Sequence, residues 1–111
     1  MNQIISNNLL TACSIGTGIT TATTTLVLDG IADRIIKIKE LYAQNIHAST
    51  TCLVQFKEED GAILFEANLE SNMPFSRRYD IDCILLAEAK GIQIVTNATA
   101  DIRWTVAYIL E

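Results

Sequence analysis

One histidine, one proline, three cysteines and eight basic residues in 111 positions leave little material for several kinds of chemistry. His47 alone cannot build a multi-histidine zinc site, and any Ser-His-Asp or Cys-His arrangement would have to share it. Cys13, Cys52 and Cys83 are widely spread and form no C-x-x-C pair, so they read as reduced, small apolar residues and not as a disulfide framework. A single disulfide would leave an odd thiol. Thirteen acidic residues against eight basic ones give a net charge of -5, the wrong sign for a surface that neutralises phosphates. Nucleic acid is not an expected partner.

Long apolar runs are also missing. Polar or charged residues interrupt every segment before the ~20 apolar residues of a membrane helix, so no membrane association is expected. The first eight residues lack the basic start and apolar stretch of a secretory signal. Gly16-Thr17-Gly18 lacks the third glycine and the lysine of a phosphate-binding loop and reads instead as a hinge.

What the chain does have is a 50% hydrophobic composition cut into short alternating segments. Residues 1–17, with Ile4, Ile5, Leu9 and Leu10 among Asn, Ser and Thr, read as an N-terminal arm, either disordered or laid as an edge strand on its own or a neighbouring domain; residues 18–111 read as one domain. The β-branched run at 19–28 predicts one strand or two short ones before the Asp29-Gly30 turn. Between residues 31 and 43 two periods compete. Ile31, Ile35, Ile38 and Leu41 recur at helical spacing, but the Ile-rich composition favours a strand. Residues 51–57 and 62–69 predict a hairpin, with Cys52, Val54 and Phe56 on one face and Ile63, Phe65, Ala67 and Leu69 on the other strand's matching face. Gly61 is expected to supply the positive φ of its turn.

Residues 70–80, with the lone Pro74, read as the longest irregular segment; strands follow at 81–87, 92–96 and 102–110. The last has the strongest alternation, through Ile102, Trp104, Val106, Tyr108 and Leu110, and places Trp104 in the core. Short strands separated by Gly, Asn and Asp indicate an all-β protein, an antiparallel β-sandwich or jelly roll.

No catalytic constellation is present in this pattern, and no cofactor or metal is expected. Glu58, Glu59 and Asp60 lack the spacing of a calcium loop and read as a solvated hairpin tip. Arg77 and Arg78 beside Phe75 and Tyr79 suit contact with a carboxylate-rich protein surface. These four residues, with Ile4, Ile5, Leu9 and Leu10 of the arm, are the candidate interface.

Taken in order, residues 30–38, the hairpin strand Cys52-Leu53-Val54-Gln55-Phe56-Lys57 with its Asp60-Gly61 turn, Gly91-Ile92-Gln93-Ile94-Val95-Thr96 and the closing Thr105-Val106-Ala107-Tyr108-Ile109 resemble small jelly-roll proteins of tailed bacteriophage virions, with a tumour-necrosis-factor-like topology. The resemblance covers residues 20–110. It implies a non-enzymatic virion protein, assembled in the host cytoplasm, that decorates and cements the capsid as a homotrimer on the major capsid protein or other virion proteins. The alternatives are a head-fibre or tail accessory protein, and a small carbohydrate-binding β-sandwich using Tyr79, Asp80 and Asn97. The Thr-rich lead-in and the helix-compatible Ile38-Lys39-Glu40 depart from the family pattern.

Overall fold

The computed structural model describes residues 14–79, 84–97 and 101–111, and among them every regular element is a β-strand. Nine strands form two antiparallel sheets packed face to face: β1 (Ser14–Thr20), β2 (Thr24–Leu28), β3 (Ile36–Asn45), β4 (Cys52–Glu58), β5 (Ile63–Leu69), β6 (Pro74–Arg78), β7 (Ile84–Leu85), β8 (Ile92–Thr96) and β9 (Ile102–Leu110). One sheet runs β1-β9-β3-β6, with β7 also paired to β3; the other runs β2-β8-β4-β5. The protein is a β-sandwich, as its alternating segments indicate.

The core lies between the middle strands of the two sheets. Ile36, Ile38, Leu41 and Ala43 of β3 and Ile102, Trp104 and Val106 of β9 face Cys52, Val54 and Phe56 of β4 and Ile92 and Ile94 of β8. All are buried, because the inward-facing positions of these central strands lie between the two sheets. Cys52 is a free, buried thiol; Cys13 and Cys83 lie outside the described residues.

Two bulges explain where the sequence pattern misleads. The register between β3 and β9 shifts between Ile38 and Glu40, so one extra residue stands on the outer side and the next inward residue is Leu41. That three-residue step from Ile38 to Leu41 produced the helical spacing. A second shift, opposite Phe56 and Lys57, leaves Phe65, Ala67 and Leu69 facing Phe56, Val54 and Cys52 but sets Ile63 against Lys57, half exposed on the outer side. Ile63 therefore does not share the inward face expected for it.

Residues 14–17 form an edge strand on their own domain, one of the two readings open for the arm, and move the boundary expected at residue 18. Ser14 to Thr20 pair without interruption against Tyr108 to Ile102, so residues 14–17, assigned to the arm, belong to the sheet. Gly16 and Gly18 are not a hinge. They sit on the inner face of β1, opposite Val106 and Trp104, and a Cβ on Gly18 would lie 3.0 Å from Trp104 Cζ2. The missing side chains are the space the indole occupies, and Trp104 is only 8% exposed. The Thr20 and Thr25 hydroxyls then hydrogen-bond across the two sheets at the end of β1.

The segment at 70–80 is not irregular throughout. Pro74–Arg78 form β6, an edge strand on β3, with proline at its first position where a missing N–H costs least. The expected strand at 81–87 is reduced among the described residues to Ile84–Leu85, and residues 80–83 lie outside them. In the β4–β5 turn the positive φ falls on Asp60, at 55°, and not on Gly61. An Asp tolerates that conformation, while a Cβ at Gly61 would lie 2.7 Å from Glu58 Oε1.

Asn45 is fully buried at the end of β3. Its Nδ2 donates to the carbonyls of Thr50 (2.6 Å) and Leu69 (3.1 Å), and its Oδ1 accepts from His47 N–H (3.0 Å). Its backbone N–H reaches Met73 O and its carbonyl accepts from Asn72. One amide thus ties three connections at this end of the sandwich, and burial makes each bond hard to replace with water.

Stability outcomes follow at three sites. Trp104→Ala costs about 3–5 kcal/mol by opening a cavity, and Gly18→Ala costs about 1–3 kcal/mol by crowding the indole. In a Trp104→Phe background the Gly18→Ala cost shrinks, as a double-mutant cycle in urea will record. Asn45→Ala destabilises by about 1–3 kcal/mol for each backbone group it orphans, measured in the same denaturation assay.

Candidate interaction surface

The four described residues of the expected interface do not act as one patch. Phe75 pairs with Ala43 and Arg77 with Leu41, both buried, so these two side chains lie on the inner side of β6. Ser76 and Arg78 point the other way. Phe75 stacks on Phe65, with ring centroids 4.7 Å apart, and meets Phe56 edge-on at 6.2 Å. β5 and β6 are the edge strands on the same flank of the sandwich, and this aromatic seam closes the gap between them.

Arg77 covers the seam. Its guanidinium carbon lies 5.7 Å from the Phe65 centroid and 5.8 Å from that of Tyr79, in the range of cation–π attraction. Burial pushes the Tyr79 phenol above its ordinary value, and the Arg77 charge offsets part of that rise by favouring the phenolate. Arg78 makes a 3.5 Å contact with Glu40 at the surface, a pair worth little in water. Ile4, Ile5, Leu9 and Leu10 lie outside the described residues.

Other polar groups flagged in the sequence are engaged within the fold. Glu58 Oε2 accepts from Ala87 N–H at 2.8 Å and Glu59 Oε1 from Gly91 N–H at 3.0 Å. These carboxylates are not a free solvated tip: they bind the 87–91 turn, where Ala89 takes a positive φ of 61°. His47 Nδ1 accepts from Ser49 N–H (3.2 Å) and Thr50 N–H (3.1 Å), and so shapes its own loop. Among the described residues no group of three His, Cys, Asp or Glu could hold a metal ion.

The feature that sequence reasoning missed is the outer face of the β1-containing sheet. The β1–β9 register places Ile15, Thr17 and Ile19 beside Ala107, Thr105 and Arg103, and β3 adds Tyr42 next to Thr105. Ile15 is 68% exposed and Ile19 57%. Leu85, paired with Lys37 and 60% exposed, stands apart from them, across β9 and β3. Acidic groups on this face have partners: Glu111 bonds Lys37 at 2.7 Å, and Glu40 meets Arg78. In a chain of net charge -5, the acidic excess therefore lies elsewhere.

The outer face of the other sheet differs in carrying a cross-strand amide–carboxylate bond beside its own exposed Leu26 and Ile63. Gln55 and Glu66 hydrogen-bond across β4 and β5 at 2.9 Å, flanked by Lys57, Asn68 and Gln93. The alternation of β1 could have signalled the difference, but only if Gly16 and Gly18 had been read as inward positions.

Compared with family models, with curated proteins and with solved structures, the chain matches none.

The Arg77–Tyr79 contact has a spectroscopic consequence. Tyr79 titrates above the ordinary phenol value of 10.0, and Arg77→Gln, which removes the opposing charge, moves it higher still. A phenol whose folded pKa is raised contributes stability that is complete below about pH 10 and lost as pH climbs through the folded value. NMR titration of the Tyr79 ring checks both shifts; a fall on Arg77→Gln contradicts the arrangement.

Proposed function

We propose that this protein is a non-enzymatic structural subunit of a tailed-phage virion, a capsid decoration protein that stabilises the head. The reading rests on the resemblance of the strand segments to such proteins, and one observation carries it further. His47, Glu58 and Glu59 are bonded within the fold, while Ile15, Ile19 and Leu85 stand exposed on the outer face of the β1-containing sheet among Lys37, Tyr42, Arg103 and Thr105.

The strand order supports a jelly roll as the finer description of the sandwich. With β6 and β7 counted as one interrupted strand on β3, successive strands cross between the sheets in the order expected of two Greek keys wound together. The proposed partner is the major capsid protein, and the subunit acts as a homo-oligomer, a trimer in the arrangement the resemblance implies. A head-fibre or tail attachment role would use the same surfaces. The carbohydrate-binding alternative is disfavoured: Asn97 Oδ1 accepts from Leu53 N–H at 2.9 Å and Tyr79 lies against Arg77, so neither side chain is free on a loop.

Heads of the encoding phage that lack this protein provide the test. The purified full-length chain is expected to sediment with them to a fixed ratio with the major capsid protein, and to raise the temperature at which they release DNA. Absence of saturable binding to heads, fibres and tails alike contradicts the virion role; selective binding to a glycan establishes the alternative.

A further inference from the structure

We infer that the outer edge of β1 is a self-association site, at which a second copy of this chain adds its own β1 in antiparallel register about a twofold axis through Thr17. The inference does not rest on the virion role.

Among the described residues five strands lie at sheet edges, and four of them are protected against strand addition, β7 by being only two residues long. β6 carries Pro74, Arg77 and Arg78; β5 carries Glu66 and a bulge opposite Phe56 and Lys57; β2 has a bulge between Leu26 and Leu28. Proline, charge and bulges are the devices that keep sheet edges from pairing. β1 has none of them. It is seven residues long, uncharged and in unbroken register with β9, so alternate backbone N–H and C=O groups face away from the sheet along its whole length.

The identity of the occupant comes from the strand's own sequence. Ile15-Gly16-Thr17-Gly18-Ile19 reads the same in both directions. A twofold interface brings each patch against itself, so it demands this kind of self-complementarity. With Thr17 opposite Thr17 of the second copy, Ile15 faces Ile19, Gly16 faces Gly18, and Ser14 faces Thr20. The exposed isoleucines of the two copies then form two β-branched cross-strand pairs on the outer face, a favourable class of pair. Thr17 Oγ1 is already bonded within its own chain, to Trp104 O at 3.0 Å and to Thr105 Oγ1 at 3.2 Å, so the axis leaves no hydroxyl stranded.

Electrostatics favours the same edge. Two copies, each of net charge -5, repel one another, and β1 is a place where strands can meet without opposing like charges. The product is one continuous sheet running through both copies. Alone, this contact gives a dimer; combined with a threefold assembly, it gives a hexamer.

Sedimentation of the full-length chain tests it. The wild type is expected as an even-numbered species. The double variant Ile15→Lys/Ile19→Lys sets lysine against lysine at both cross-strand pairs and is expected to halve the mass. In Ile15→Lys/Ile19→Glu each introduced lysine faces an introduced glutamate on the other copy, and the wild-type mass returns. Near-ultraviolet dichroism of Trp104 reports that each variant is folded. A monomeric or trimeric wild type overturns the inference, as does unchanged mass in the double-lysine variant or failure of the lysine–glutamate variant to reassociate. A monomeric wild type that still binds heads would overturn this contact and leave the proposed virion role standing.

Discussion

The contact between the Trp104 indole and the bare inner face of β1 organises much of this molecule. An indole is too large to lie beneath a strand whose inward positions carry ordinary side chains, so β1 covers it with Gly16 and Gly18 and then Thr20. Glycine in a strand costs conformational entropy and adds no packing of its own. Here that cost is offset by burial of the largest side chain in the chain. Because the inner face of β1 is reserved for the indole, its apolar side chains, Ile15 and Ile19, stand on the outer face. The same contact that completes the core thus leaves an apolar stripe in water.

The two ends and two flanks of the sandwich are held by different means. At one end Asn45 gathers the 46–50, 69–73 and β3 backbones through a buried amide. Near the opposite end Glu58 and Glu59 reach from the β4–β5 hairpin to the 87–91 turn. On the β5–β6 flank, Phe65, Phe75 and Arg77 form a stacked seam, whereas on the β1–β2 flank the tie is the Thr20–Thr25 hydroxyl pair. The acidic residues that suggested a cation or a solvated tip are thus partly structural acceptors, each satisfying a backbone N–H in a turn.

This division of labour bears on function. The seam flank is guarded by charge and proline, and its arginine is occupied by aromatic rings. The β1 flank has neither guard. The proposed self-association uses the unguarded edge of β1 and the two isoleucines beside it, a restriction that favours ordered pairing over indiscriminate aggregation.

The sequence by itself determined the β class and the central strands. β4, β8 and β9 are flanked on both sides and buried on one face, so the period of two is written directly into Cys52, Val54 and Phe56, into Ile92 and Ile94, and into Ile102, Trp104 and Val106. It also determined the edge strand's palindrome, though not its meaning. Only the tertiary structure decided the rest. β6 left no alternation because an edge strand with one half-buried ring, Phe75, has nothing to alternate, and Ile38 to Leu41 mimicked a helix because a bulge shifts the phase by one residue. The roles of Gly16, Gly18, Asn45, Glu58 and Glu59 each depend on at least one partner 24 or more positions away along the chain, at separations where local periodicity carries no information. Which face of β1 meets water was settled by one such partner, Trp104, whose size left no room for side chains above it.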